Sequence, residues 1–300
     1  MKKKENISVI KASGDSVPFS EDRLRKSLLR SGASHDQVER ILDEIRGQLF
    51  EGMPTKKIYK IAFALLKEGS RHLAARYHLK QAIMELGPSG FPFEQYVAGI
   101  MQRQGYSVKT GQFIQGQCVD HEIDVIAEKE NNCILTECKY HNYQGVICNV
   151  RIPLYIHARF LDVQKQWCAQ PSRREKHFSC RIVTNTRFSE DAIRYAACAG
   201  LELLGWDFPV KNSLKEQVDT LGLYPITCLT SLTKAEKQKL LDRKIVLCSE
   251  LLDNERLIAG IGVRGTRGAV VLNEVEQLCR YLSDGPGRKR QKKNTSNYTP

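Results

Sequence analysis

Near the start of the chain, two short strand-like runs at 7–11 and 17–19 flank Ser13-Gly14-Asp15, a turn-forming triplet, so a small hairpin is expected there. Helical spacing follows. Ser20 is placed to N-cap a helix ending at Gly32, and Val38, Ile41, Leu42, Ile45 and Leu49 mark a second helix. Ile58, Ile61, Ala62, Leu65 and Leu66 mark a third, and 71–86 reads as a fourth before Gly87-Pro-Ser-Gly-Phe-Pro92 breaks the pattern. The next stripe is Phe93, Val97, Ile100 and Met101, on a helix ending at Gly105. Strand-like runs then occupy 106–115, 122–128 and 133–140, followed by a helix with Pro153 near its first turn, a strand at 180–184, a helix capped by Ser189, and a strand at 202–208. That order, αβββαβαβ, predicts a mixed sheet covered by helices. After Pro209 the pattern is mainly helical, with Thr233-Lys-Ala-Glu236 as a capping box ahead of Leu240 and Leu241.

These shifts divide the chain into an α/β, multi-domain arrangement: a hairpin-plus-helix unit over 1–88, the mixed sheet over 89–209, a small helical unit over 210–284, and a tail over 285–300. The tail is too basic and too poor in apolar residues to pack, and is expected to be disordered. No apolar run approaches a bilayer span and no secretory leader is evident, so no membrane partner and a cytoplasmic location are expected. Lys and Arg number 46 against 34 Asp and Glu, a net charge of +12, which favours a polyanionic partner and, without a basic amphipathic helix, nucleic acid. The ten cysteines are scattered without a Cys-x-x-Cys pair and read as reduced, mostly buried thiols.

The chemistry concentrates in His121-Glu-Ile-Asp124-Val-Ile-Ala and Cys133-Ile-Leu-Thr-Glu137-Cys-Lys139. Strand alternation puts Glu137 and Lys139 on one face. If the two strands form a hairpin with its tip at Glu130-Asn131, Asp124 lies opposite Glu137. Cβ atoms of facing residues are about 5 Å apart, where two like charges need a compensating cation. Mg²⁺, held by carboxylates and a substrate phosphate, is the natural one, with Lys139 adding a fixed positive charge beside it. The competing reading is a cross-strand charge cluster on a sheet surface.

This spacing resembles the PD-(D/E)XK nucleases, and within them the Mrr-like restriction endonucleases, over roughly 88–208. The resemblance implies a Mg²⁺-dependent DNA endonuclease with a restriction or defence role, catalytic Asp124, Glu137 and Lys139, and metal ligation by Asp124, Glu137 and the Cys138 carbonyl. Glu94 matches the metal-supporting glutamate that the family often carries on its first core helix. Many Mrr-like members have Gln where Glu137 stands. Tyr155, Arg159 and Asp162 on the following helix are left outside the catalytic set, as are His121 and Glu122.

Residues 7 to about 86 resemble the ATP-cone, a regulatory nucleotide-binding domain, through Val9-Ile-Lys11-Ala-Ser-Gly14, Val17-Pro-Phe19-Ser20, Arg23, Met53-Pro-Thr55-Lys-Lys-Ile58 and Ala74-Ala-Arg76-Tyr77. That resemblance implies ATP or dATP as an allosteric ligand contacted by Lys11, Ser20, Arg23 and Thr55, with Ala12 and Val17 as departures from the pattern. A cation on a short strand and a helix start bearing a hydroxyl suit a triphosphate. Capping roles for Ser20 and Thr55, with Lys11 and Arg23 as solvated charges, are the competing reading. No P-loop is present, so ATP hydrolysis is not expected. Gly260-Ile-Gly262-Val-Arg-Gly265 lacks a strand-to-helix context and reads as a flexible, phosphate-facing loop with Arg264 and Arg267. Leu229–Leu252 loosely resembles a helical hairpin for DNA backbone contacts. Arg288, Lys289, Arg290, Lys292 and Lys293 would add salt-dependent affinity for phosphates. Homo-oligomerisation is left open. The rival to an enzyme is a non-catalytic, nucleotide-responsive DNA-binding regulator.

Overall fold

The structure, a computed structural model, describes residues 7–11, 13–143 and 145–279. The basic tail and Ala12, on which sequence expectations rest, lie outside these residues. Among the described residues no helix is long and apolar enough to cross a membrane.

The N-terminal hairpin pairs β1 (Ser8–Ile10) with β2 (Ser16–Pro18), and β3 (Met53–Pro54), not foreseen from the sequence, adds in parallel on the other side of β1. Around it lie α1 (Glu21–Arg30), α2 (His35–Gln48), α3 (Thr55–Gly69), α4 (Arg71–Tyr77) and α5 (Leu79–Met84). The helix expected over 71–86 is thus two helices. They divide at His78, whose ring packs 5.3 Å from Phe63 and hydrogen-bonds the Tyr59 hydroxyl. Leu73, Ala74 and Tyr77 before the break belong to the N-terminal core, whereas Leu79, Ala82 and Ile83 beyond it belong to the next one.

The central unit runs α6 (Phe91–Arg103), β4 (Ser107–Gln115), β5 (Asp120–Lys129), β6 (Asn132–Lys139), β7 (Ile147–Cys148), α7 (Arg151–Cys168), β8 (His177–Thr184), β9 (Arg187–Phe188), α8 (Glu190–Ala199) and β10 (Glu202–Leu204). Its sheet has the order β10-β8-β6-β5-β4, antiparallel from β4 to β6 and parallel from β6 to β10, while β7 and β9 form a separate parallel pair. The expected strand over 202–208 stops at Leu204, because Gly205 bridges back to Phe208. Helices α9 (Leu214–Leu221), α10 (Lys234–Asp242), α11 (Cys248–Asp253), α12 (Arg256–Gly260) and α13 (Gly265–Cys279) complete the described chain.

Helix α6 buries Phe93, Val97, Ile100 and Met101, the stripe read from sequence, each worth about 1.5–3 kcal/mol of apolar burial, and adds Tyr96 to it. These side chains share one core with α5, one face of the sheet and α9 to α13; Tyr96 anchors it by donating its hydroxyl to the Leu223 carbonyl at 2.8 Å. The boundaries read at 88 and 209 therefore mark changes of pattern, not gaps in packing. The opposite sheet face is covered by α7 and α8 through Ile156, Phe160, Trp167, Ala192 and Ala196.

Two readings of the C-terminal unit are corrected. Gly260 to Gly265 is no flexible loop: it closes α12 and opens α13, with Ile261 and Val263 buried between them and Gly262 and Gly265 at positive φ. Arg267 is engaged by both carboxylate oxygens of Glu236 at 2.6 Å, a bidentate pairing that takes it away from phosphates. All ten cysteines are free, and seven of them are buried.

The connection from β4 to β5 is braced by Asp162 of α7, which accepts the backbone N–H groups of Cys118 at 2.9 Å and Val119 at 3.3 Å and is hydrogen-bonded to His121 at 2.8 Å. The His121 bond, joined by these amides, depresses the Asp162 carboxyl to about 2. Gly116 is what lets the turn close on it, since a Cβ there would meet Asp162 Oδ2 at 2.2 Å and the Val119 carbonyl at 2.6 Å. Gly116→Ala should lower stability by about 1–3 kcal/mol in chemical denaturation, because backbone and a hydrogen-bonded carboxylate would both have to move; an unchanged midpoint would show that the turn is more adaptable than its packing implies.

Candidate functional site

The β5–β6 ladder runs from Lys129↔Asn132 to Val125↔Thr136, the register expected from sequence, and ends one step short of Asp124 and Glu137. Glu130 takes the left-handed conformation at the hairpin tip, with φ of 53°. Past Val125 the Asp124 carboxylate leaves the regular cross-strand position and accepts the Cys138 backbone N–H at 2.7 Å. That bond holds it over the C-terminal end of β6, the segment carrying Glu137 and Lys139.

Glu137 and Lys139 do share a face, the one covered by α7. Lys139 Nζ donates to Glu137 Oε1 at 2.6 Å, and the second oxygen, Oε2, receives Arg159 Nη1 at 2.9 Å. Arg159, two turns into α7, also donates to the Glu122 carbonyl and lies over the Tyr155 ring at 5.4 Å. The set read from sequence omitted it. Its only signal there was a helical position following the E-x-K strand, and charged helix residues are usually solvated; packing of α7 across the sheet is what turns it inward. Glu137 is only 8% exposed, so the competing picture of a solvated surface cluster does not describe it.

Glu94, in the first turn of α6, joins from the opposite side. Burial and then the neighbouring charges of Asp124, Glu122 and Glu137 push its carboxyl up to about 7. Burial followed by Glu137 raises Asp124 to about 6, against the pull of the Cys138 amide, Lys139 and Arg159. Negative charge is thus crowded at this end of the sheet beyond what Lys139 and Arg159 balance. Cys138 offers no thiolate, because its side chain is buried on the α6 side and its pKa is raised by that burial.

The donor types at this point suit a divalent cation, but their arrangement is not a formed metal site. Carboxylate oxygens are the correct donors for Mg²⁺. Among the described residues, however, no three His, Cys, Asp or Glu side chains are arranged to hold an ion, and both Glu137 oxygens are taken by Lys139 and Arg159.

The nucleotide-binding residues expected at the N-terminus gather by a separate route. Parallel pairing of Ile10 with Pro54 sets Lys11 beside Thr55, the first residue of α3, whose cap position is Pro54 and has no side-chain cap bond. Ser20 caps α1 by accepting the Arg23 backbone N–H at 3.4 Å. Lys11, Arg23 and Thr55 line one cleft, and Ser20 lines an adjoining one with Lys11 and Arg23.

Because Asp124 and Glu94 titrate above their ordinary values in the folded chain, they favour the folded state at acidic pH, and that contribution is lost as pH rises through about 6 and 7. In chelator, the melting temperature of wild type should fall over this window relative to an Asp124→Asn, Glu94→Gln double variant. Parallel pH profiles for the two proteins would disprove the raised titration of these buried carboxyls.

Three comparisons place the chain among known proteins. A family model described as the ATP cone domain matches residues 7–82, and one described as AF1548-like, C-terminal, matches residues 224–279. An uncharacterized protein of Archaeoglobus fulgidus is 34% identical over 183 residues, which span 61% of this chain and 99% of the relative. A crystal structure titled as that of AF1548, a protein of unknown function, superposes with a TM-score of 0.52 at 32% identity, over 64% of this chain and 99% of that one. The chain belongs to the AF1548-like family and bears an ATP-cone domain at its N-terminus.

Proposed function

We propose that the chain is a Mg²⁺-dependent DNA endonuclease whose activity is biased by ATP or dATP bound at the ATP-cone, with a restriction-like role as the Mrr-like resemblance implies. One observation carries the reading: Asp124, Glu137 and Lys139, with Glu94, converge where β5 and β6 part. The net charge of +12 supplies the attraction for a phosphodiester backbone.

In this reading Asp124 and Glu137 hold the cation, with Glu94 supporting and the Cys138 carbonyl as the further oxygen donor. When bound, Mg²⁺ would offset charge on the scissile phosphate and favour an ionised water. The remaining work belongs to the chain. The Cys138 amide fixes the orientation of Asp124. Release of Glu137 from Lys139 would free that ammonium to orient a water or meet the phosphate's negative charge, while Arg159 keeps Glu137 in place from the α7 side. The nearly neutral titration of Asp124 and Glu94 makes both responsive to a bound cation, because a positive charge at this point would return them to the carboxylate form.

A second reading, a nucleotide-responsive DNA-binding regulator without catalysis, is favoured by one observation, the double pairing of Glu137 with Lys139 and Arg159, which leaves it without a spare oxygen. The two separate in a plasmid assay. With Mg²⁺, wild type should nick supercoiled DNA, whereas Asp124→Ala and Lys139→Ala should each slow nicking by at least about 10²-fold, the scale expected for losing a charge-stabilising group. DNA binding without nicking, equal in all three proteins, would establish the regulator instead.

A further inference from the structure

The cleft that receives Lys11, Arg23 and Thr55 has a second wall. It is a space of about 480 Å³, and its far side is formed by Lys80, Thr186 and Arg187. Lys80, at the start of α5, falls within the ATP-cone match, whereas Arg187 opens β9, more than a hundred residues beyond it. Four cationic side chains from three places in the sequence therefore surround one space between the N-terminal unit and the sheet-bearing unit.

These cations are poorly compensated. Among the described residues no carboxylate is ion-paired with Lys11, Arg23 or Lys80, and Arg187 is paired through Nε with Asp207 at 3.0 Å. Asp15, the carboxylate on the lining, accepts the Ser13 hydroxyl at 2.7 Å. Lys80 is half-buried with its Nζ 5.6 Å from the centre of the Trp206 ring, and the Arg30 guanidinium lies 5.9 Å from the same ring. Burial, then the charge of Arg187, lowers the Lys80 pKa against the pull of Asp207. A lysine held beside other cations in this way is stabilised by an anion of matching reach.

We propose that a nucleoside triphosphate bound to the ATP-cone, whose own residues reach Lys80, is clamped from its far side by Arg187, so that the sheet-bearing unit completes the nucleotide site. This rests on the nucleotide reading of the N-terminal domain. The clamp would be felt at the C-terminal end of β6. Thr186, on the cleft wall, donates its backbone N–H to Thr184 Oγ1 at 3.3 Å, and that hydroxyl donates to the Lys139 carbonyl at 2.7 Å. Asn185 between them accepts the His141 N–H at 2.9 Å and donates to the His141 carbonyl at 2.6 Å. Residues 184–186 are thereby bonded to 139–141, so a nucleotide that draws Arg187 toward Lys11 acts on the strand end that carries Lys139. The nucleotide would bias that strand end only as far as it prefers the closed arrangement.

ATP titrated calorimetrically into the full-length chain tests the clamp. Lys80→Met and Arg187→Gln should each weaken binding by about tenfold or more, the effect of losing one charge-assisted phosphate contact, as should Lys11→Ala. Wild-type affinity in Arg187→Gln, with loss in Lys11→Ala, overturns the clamp and leaves the ATP-cone reading intact. Absence of ATP binding by wild type removes both. Hydrogen exchange on wild type gives a second readout independent of how the variants fold: ATP should slow exchange at 184–187 as well as at the N-terminus, and slowing limited to the N-terminal residues overturns the proposal.

Discussion

Carboxylates and cations at the open end of the β5–β6 hairpin form an interaction that the surrounding architecture serves. Glu94, Asp124 and Glu137 come from one helix and two strands, and Lys139 and Arg159 from a strand and the helix across the sheet. Each carboxylate taken alone would be expensive to place there. The Cys138 amide on Asp124, and the two cations on Glu137, make the placement tolerable. Burial first, and neighbouring carboxylates second, raise the titration of Asp124 and Glu94, so a cation placed here would favour their charged forms.

The rest of the central unit can be read as support for this point. Helix α6 is held by the deepest part of the core, through Tyr96 and its bond to Leu223, which fixes the helix turn from which Glu94 projects. On the opposite face, Phe160 and Val163 seat α7, so that Arg159 and Asp162 reach the sheet from the same helix. Asp162 shapes the turn leading into β5, and Arg159 meets the strand beside it. Core packing on both sides of one sheet thus sets the positions of groups whose own interactions are polar.

The N-terminal domain adds a second collection of charge, of opposite sign. Clustering of Lys11, Arg23, Lys80 and Arg187 about one cleft leaves positive charge unbalanced, just as the sheet end leaves negative charge unbalanced. Residues 139–141 and 184–186, joined by hydrogen bonds, connect the two places, since Thr186 lines the cleft and Lys139 pairs with Glu137. Charge that is not matched within the chain is a persistent feature of sites that bind charged ligands.

Much of this was legible from local pattern. Side chains alternate along a strand and recur every three to four residues on a helix, so the hairpin register, the shared face of Glu137 and Lys139, and the buried stripe of α6 were all implied by spacing alone. Ser20, Ser189 and Thr233 announced helix starts because capping is a contact within four residues. What spacing could not carry was contact between distant segments. The packing of His78 against Tyr59 and Phe63 depends on where α3 lies, the pairing of Arg159 with Glu137 depends on where α7 crosses the sheet, and the meeting of Arg187 with Lys11 and Lys80 depends on how two units dock. Periodicity reports which way a side chain faces within its own element; which partner waits there is decided by the packing of elements far apart in the chain, and that was settled only in three dimensions.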